Sequence, residues 1–356
     1  MTCDAYLNRI GTAVPPNNIH NAFCAFAESL LPEAKHRELF GRMAVRADIE
    51  SRWSYLLPDP DAPARGDLEG FYRAGAFPRT SQRMARFEAH AAPLALAALA
   101  DLELSADEVA GVTHLIVATC TGFFSPGVDL AVARAIGLAE TVERTMVGFM
   151  GCQAAITALK LARHVVRSEP AAKVLVINLE LCTLHLQQRH TMDQLLCFLL
   201  FGDGCSAGLV SAEPAGLRLD GFHAAVMAEA AEQITWRVGD DGFDMTLSGL
   251  VPLTLSRALP PRIGAILGGA EPADIDLWAV HPGGRTVLDA VDSALNLKQG
   301  ALAYSREVLR TYGNMSSPTV MFVLRAMLDE RVPSRSGCAI AFGPGLSAEA
   351  MRFATV

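Results

Sequence analysis

Three widely separated segments of this 356-residue chain hold side chains that together could carry out nucleophilic chemistry. Cys152 lies in Phe149-Met150-Gly151-Cys152-Gln153-Ala154-Ala155, a small-residue turn that opens directly into a helical pattern. A helix N-terminus presents unpaired N–H groups and the positive end of the dipole, both of which favour thiolate over thiol. His281 follows an apolar run and precedes Pro282-Gly283-Gly284, so its ring would be held at a strand end while the glycines leave room for a ligand. An imidazole there could stabilise a thiolate and later donate hydrogen bonds. Asn314, in Tyr312-Gly313-Asn314-Met315-Ser316-Ser317, offers an amide donor. Each residue also has a plainer use: a small cysteine fits a tight turn, a lone histidine often serves the core, and an asparagine caps a helix. Chemistry therefore depends on whether the fold brings the three together.

The elements that would have to do so can be read from periodicity. Residues 22–46 have helical spacing, residues 58–70, rich in Pro, Asp and Gly, read as a surface loop, and residues 81–99 are helical again. Residues 114–119 form a short buried strand ending in the turn Cys120-Thr121-Gly122; residues 154–166 are a helix and 174–179 another buried strand. The C-terminal part repeats this order. Residues 275–280 are a strand ending at His281, residues 318–328 a helix following Asn314, and residues 338–342 a strand ending in Gly343-Pro344-Gly345. Cys120 and Cys152 are 32 positions apart, and His281 and Asn314 are 33 apart. Such a repeat is what an internal duplication leaves behind. Two halves, residues 1–222 carrying the cysteine and 223–356 carrying His and Asn, would pack face to face and bring Cys152, His281 and Asn314 to one place.

Composition narrows the function classes. With 51% hydrophobic and 19% charged residues the chain can bury a large core, and the apolar excess points to a large internal sheet or an extensive subunit interface. A formal charge of -8 argues against nucleic acid as a partner. Neither a secretory pattern at the N-terminus nor an apolar run long enough to span a bilayer is present, so a cytoplasmic protein without an integral membrane segment is expected. The eight cysteines, at 3, 24, 120, 152, 182, 197, 205 and 338, show no paired C-x-x-C spacing, and no metal site is expected.

Several motifs together resemble a known family. Residues 189–204, ending Leu200-Phe201-Gly202-Asp203-Gly204, with His281-Pro282-Gly283-Gly284, Tyr312-Gly313-Asn314-Met315-Ser316-Ser317 and Phe342-Gly343-Pro344-Gly345, are similar to the chalcone and stilbene synthases, the type III polyketide synthases, in a bacterial flavour. The resemblance implies an α/β, thiolase-like αβαβα layered fold made of two duplicated halves, a homodimer, and a catalytic triad of Cys152, His281 and Asn314. It further implies that Phe201, Cys120, Thr121, Cys182, His185, Trp236, Met245 and Ser316 shape the substrate cavity. Arg42 and Arg46 fall where the family meets the phosphates of CoA. Met245 stands in place of the second phenylalanine flanking the plant active site, Cys120 and Cys182 stand where plant enzymes usually have threonine, and Ala341 replaces a glycine. These departures bear on starter and ring closure, since a flexible Met alters cavity shape without touching the chemistry.

The implied activity is an acyltransferase that condenses malonyl-CoA onto an acyl-CoA starter iteratively and then cyclises the chain. CoA thioesters are substrates and no cofactor is needed. Loss of rigid or polar walls at Met245 and Cys182 favours an aliphatic starter and alkylpyrone or alkylresorcinol products, whereas Trp236 could shorten the space. The nearest rival is a ketoacyl synthase III, which performs one condensation with a carrier-protein substrate and usually lacks the motif contexts above. A catalytically silent binding protein is a further alternative, disfavoured because all three triad positions are filled.

Overall fold

The structure, a computed structural model, describes residues 3–59, 61, 67, 69–188, 191, 194, 197 and 199–356. Much of the expected loop at 58–70 and part of the motif at 189–204 lie outside the described residues.

The strands are β1 (Tyr6–Ala13), β2 (Asn17–Asn18), β3 (Trp53–Ser54), β4 (His114–Thr119), β5 (Glu143–Gly148), β6 (Val174–Leu181), β7 (Asp203–Ser211), β8 (Leu217–Val226), β9 (Ile234–Gly239), β10 (Gly242–Leu247), β11 (Leu277–Val280), β12 (Ser336–Gly343) and β13 (Ser347–Thr355). Among the described residues nine of them hydrogen-bond in the order β11-β12-β13-β8-β1-β7-β6-β4-β5. β6 lies parallel to β4 and antiparallel to β7, which is antiparallel to β1. β12 repeats this: parallel to β11, antiparallel to β13, which is antiparallel to β8. The duplication read from spacing therefore reappears as topology, with β5 as an extra edge strand. A division between residues 222 and 223 falls inside β8, which stands to β13 as β1 stands to β7.

Period-two alternation sorts the strand residues between layers. On β6, Val174 and Val176 face the same core as helices Ala154–Ser168 and Pro318–Asp329, whereas Leu175, Ile177 and Leu179 face helices Thr80–Leu102 and Val128–Ile136. On β12, Ala339 and Ala341 join the first of these cores, and Cys338 and Ile340 a third that includes helix Arg285–Leu295. Both faces of these strands are covered, which explains their unbroken apolar runs. The result is five layers, α-β-α-β-α, with helices Ala154–Ser168 and Pro318–Asp329 in the middle.

One expected helix is two. The stretch 22–46 divides into His20–Ser29 and Ala34–Ala47, because Pro32 lacks an N–H and pushes Leu31 out of the helical region. Helix Thr80–Leu102 packs closely enough on β1 that a Cβ on Gly11 would lie 2.3 Å from the carbonyl oxygen of Ala98 and 2.4 Å from the nitrogen of Leu102. Both are backbone atoms that cannot step aside. Gly11→Ala should therefore lower stability by about 1–3 kcal/mol. Gly41→Ala, in helix Ala34–Ala47 with nothing within 4 Å of the new Cβ, should instead raise it by about 0.5–1 kcal/mol. Chemical denaturation of the two variants checks the opposite signs.

Candidate active site

The parallel strands point their C-terminal ends at one cavity. Cys120 follows β4, Cys182 and His185 follow β6, His281 follows β11, and Phe342 lies next to the end of β12. The middle helices contribute their N-termini: Cys152 sits in the single turn Gly151–Gln153 before Ala154–Ser168, and Asn314 and Ser316 immediately precede Pro318–Asp329. Cys152, His281 and Asn314 line the cavity together with Cys120, Thr121, Cys182, His185, Phe201, Trp236, Met245 and Ser316. Its empty volume, mouth included, is about 880 Å³. The rest of the wall is largely apolar, with Leu186, Ile234, Leu247, Val251 and Val287.

The turn that presents Cys152 is pressed against the end of β12. Gly151 has φ +63°, and a Cβ there would meet the Pro344 ring at 2.4 Å, so only glycine fits. On the other side, Asn314 is held through its backbone, its N–H donating to Leu200 at 2.9 Å and its carbonyl accepting from Gly202 at 3.0 Å. Its side-chain oxygen accepts the Ser316 N–H at 2.8 Å, which leaves the amide nitrogen to donate, one bond reaching the Gly283 carbonyl at 3.4 Å. Ser316 itself sits at φ +59°, strain of the kind found where a site dictates the backbone.

Burial dominates the electrostatics. It pushes the Cys152 thiol up to about 11, opposed by hydrogen bonding from Ser316 and Asn314 and reinforced by the charge of Glu180. His281 is buried, neither ring nitrogen has a hydrogen-bond partner among the described residues, and burial alone pulls its pKa down to about 3. The helix-start argument for a thiolate is thus outweighed for Cys152 titrating by itself. A neutral imidazole with a free nitrogen in the same cavity can, however, take the thiol proton, and the two charges so formed offset one another where either alone would be costly.

Behind these groups lies a residue that the motifs did not single out. Glu180, fully buried in β6, accepts from the Cys120 N–H at 3.0 Å, the Thr121 hydroxyl at 2.8 Å and the Ser317 hydroxyl at 2.8 Å. Burial raises its pKa to about 6 against those bonds. A carboxylate inside the apolar run Val174-Leu175-Val176-Ile177-Asn178-Leu179-Glu180-Leu181 was the available signal, because a buried charge needs a reason. The His185 Nε2–H donates to the Thr121 carbonyl at 2.6 Å and its Nδ1 accepts the Phe243 N–H at 3.0 Å, which fixes the tautomer. The Trp236 indole N–H donates to the Cys120 carbonyl at 2.6 Å. Two aromatic donors therefore hold the Cys120–Thr121 turn, and Met245, opposite Trp236 in the β9–β10 hairpin, is held on the same wall.

Arg42 and Arg46 are not brought into the cavity. Both are exposed on helix Ala34–Ala47, where Arg42 pairs with Glu38 at 2.6 Å and the Arg46 carbonyl accepts from Arg285 at 3.5 Å. Arg285 begins the helix that follows the cavity-lining Gly283. Among the described residues no helix is long and apolar enough to cross a membrane, and no cluster of His, Cys, Asp or Glu could hold a metal ion.

Five layers in two repeated halves, with a site at the N-termini of the paired middle helices, define a thiolase-like fold, and solved structures share it. The C-terminal type III polyketide synthase domain of Steely1 from Dictyostelium superposes with a TM-score of 0.88 at 21% identity, over 99% of each chain. The 1,3,6,8-tetrahydroxynaphthalene synthase of Streptomyces coelicolor A3(2) does so with a TM-score of 0.86 at 25% identity, over 98% of this chain and 99% of that one. Residues 3–214 match the profile "Chalcone and stilbene synthases, N-terminal domain" and residues 222–356 the corresponding C-terminal domain. In sequence, the chain is 35% identical over 370 residues to the alpha-pyrone synthesis polyketide synthase-like Pks18 of Mycobacterium tuberculosis, spanning 99% of this chain and 91% of that protein. The chain belongs to the chalcone and stilbene synthase family: it is a type III polyketide synthase, an acyltransferase. The ketoacyl synthase III alternative is not favoured by these matches.

If His281 takes the thiol proton, removing it leaves only the upward push of burial on Cys152. In His281→Gln the rate of Cys152 alkylation by iodoacetamide should keep climbing beyond pH 9, whereas the parent should already react at neutral pH. Peptide mass spectrometry that follows Cys152 alone reads the two profiles, and identical profiles would show that the imidazole is not the acceptor.

Proposed function

We propose that the enzyme extends an aliphatic acyl-CoA with malonyl-CoA through a triad of Cys152, His281 and Asn314, and releases alkylpyrone or alkylresorcinol products. The observation that carries this reading is the convergence of those three side chains, from remote segments, on one largely apolar cavity. Cys152 passes its proton to His281 and its sulfur attacks the starter thioester; the new acyl–sulfur bond forms as the CoA thiolate leaves. Malonyl-CoA then enters. His281 and the Asn314 amide donate to its thioester oxygen while the C–CO₂ bond breaks and enolate charge builds, so their stabilisation is greatest in the transition state. The carbanion attacks the acyl carbon, Cys152 leaves, and the extended chain returns to Cys152 for a further round before cyclisation.

CoA thioesters are the only small molecules this scheme needs; no metal or redox cofactor enters it. Phe201, Cys120, Thr121, Cys182, His185, Trp236, Met245 and Ser316 would shape the growing chain, and Arg42 and Arg46 would meet CoA phosphates outside the mouth. We assign residues 1–222 as the half carrying the nucleophile and 223–356 as the half carrying His and Asn. We further take the working unit to be a homodimer in the cytoplasm; the dimer is supported by the exposed apolar side chains Phe123, Met146 and Phe149 at and beside edge strand β5.

An aliphatic starter is favoured by the wall itself. Leu186, Ile234, Leu247 and Val251 offer apolar surface for an alkyl chain, and the matched mycobacterial relative is named for α-pyrone synthesis. Trp236, held to the Cys120 carbonyl, narrows the space beside Cys120 and would limit extension rather than starter length. Each buried methylene contributes about 0.8 kcal/mol. Across linear acyl-CoAs kcat/KM should thus climb with length and then stop, and should exceed that for a coumaroyl or benzoyl thioester; a flat series or an aromatic preference would refute the aliphatic reading. Asn314→Ala should still acylate Cys152, seen as one adduct by intact mass, while condensation falls by roughly two to three orders of magnitude. Equal loss of both half-reactions would contradict the role given to Asn314.

A further inference from the structure

Arg52 does not line the cavity, yet it is fully buried beside the backbone that carries Asn314. Its Nη1 donates to the Phe201 carbonyl at 2.8 Å and its Nε to His20 Nδ1 at 2.9 Å. Phe201 and Asn314 are the two sides of an isolated parallel bridge, closed by the Asn314 N–H to Leu200 and the Gly202 N–H to Asn314. The stem of Arg52 presses on the same bridge. A Cβ on Gly313 would lie 2.7 Å from Arg52 Cγ and one on Gly202 3.4 Å from its Cβ, so the flanking glycines are what let the arginine approach.

The segment around Arg52 is fastened on the other flank as well. The N–H groups of Glu50 and Ser51 donate to the Arg310 carbonyl at 2.8 and 3.2 Å, and the Trp53 indole donates to the Thr311 carbonyl at 3.1 Å. Residues 50–53 therefore grip both the end of helix Ala303–Tyr312 and the bridge at 200–202, and Asn314 lies between these two points. No ion pair at contact distance to Arg52 is found among the described residues, although the charge of the buried Asp203 and the nearby Cys24 favour the guanidinium. Complete burial of a guanidinium without one is costly, and an apolar side chain would fill the volume without that cost. What an apolar residue could not supply is the set of directed N–H bonds, a third of which, from Nη2, reaches the His20 carbonyl at 3.5 Å. His20 is adapted to receive one of them: burial, then the charge of Arg52, hold its pKa down to about 3, so Nδ1 remains an acceptor.

We infer that Arg52 is a positioning residue for Asn314, setting the direction of its amide through the Phe201–Asn314 bridge; this rests on the reading of Asn314 as a donor in malonyl-CoA decarboxylation. The prediction separates the half-reactions. Arg52→Met keeps the stem and removes the donors, so the rate of Cys152 acylation and the KM for malonyl-CoA should stay within about twofold. The kcat for CO₂ release from malonyl-CoA should fall about tenfold to a hundredfold, as small misplacements of a catalytic group do. Arg52→Lys, which restores one donor, should fall between.

Asn314→Ala is run beside them. If it retains decarboxylation, the reading of Asn314 fails and the inference falls with it; if it loses decarboxylation while Arg52→Met does not, the inference alone is overturned. Equal loss of acylation and decarboxylation in Arg52→Met also overturns it, since a general loosening would do that. Should Arg52→Met fail to fold, His20→Ala decides: it removes the Nε acceptor and leaves the stem, and it should show the same selective loss of CO₂ release, whereas parental decarboxylation would refute the assignment.

Discussion

A buried carboxylate holds the site together. Glu180 reaches from β6 of the first half to the turn after β4 and, through Ser317, to the start of the middle helix from the second half. Hydrogen bonds to a charged group contribute about 1.5–3 kcal/mol each, and several are needed to offset the cost of a carboxylate taken out of water. Its pKa, raised to about 6, reflects that balance: the charge survives at neutral pH only because the donors are there. Since the folded value lies above the ordinary carboxyl value of 4.5, the folded state binds this proton more tightly than the unfolded one. The contribution of Glu180 to stability therefore declines as pH rises from about 4.5 through 6 and then levels off. The carboxylate serves placement of the Cys120–Thr121 turn and of Ser316–Ser317 rather than stability at working pH.

The same low-dielectric environment governs Cys152 and His281. Burial separates the values of Cys152 and His281, one to about 11 and the other to about 3, so both are neutral when each is considered alone. In the proposed mechanism that separation is reversed by a single proton transfer. A cavity wet enough to solvate a lone thiolate would also solvate the enolate and weaken the hydrogen bonds meant for it. Asn314 has no such conflict: an amide is neutral throughout, needs only a fixed direction, and receives it from Ser316 on one side and from the Leu200 and Gly202 backbone on the other.

Much of this was legible in the sequence because buried parallel strands and their helices write dense, regular patterns. Strands β4, β6, β11 and β12 and helices Ala154–Ser168 and Pro318–Asp329 were read close to their observed bounds, and their repeated order matched the strand order of the sheet. The cavity residues carried over from the family motifs also line a single cavity. What escaped has physical reasons. β5 is exposed along nearly its whole length and so shows no apolar run, and the β9–β10 hairpin is only half-buried. Arg52 and Arg83, both fully buried, look in sequence like any surface arginine, because nothing local marks a guanidinium whose acceptors lie far along the chain.

The duplication also explains why the site is asymmetric. Each half supplies a strand end and a helix start: Cys120 with Cys152 in the first, His281 with Asn314 in the second. Because the two middle helices pack against each other, their N-termini open on the same cavity, and the polar groups of one half face those of the other. On the proposed roles, once one helix start holds a nucleophile a second nucleophile opposite it would add nothing, whereas a donor amide and an imidazole there would complete a charge-handling set. The spare positions then become free to change. At the end of β4, Cys120 sits where His281 sits at the end of β11, but it is occupied by the Glu180 carboxylate, and burial together with that charge holds its thiol well above the ordinary range. On the proposed roles it is thereby removed from competition with Cys152 and left to shape the wall, and of the cysteines that line the cavity only Cys152 is placed at a helix start.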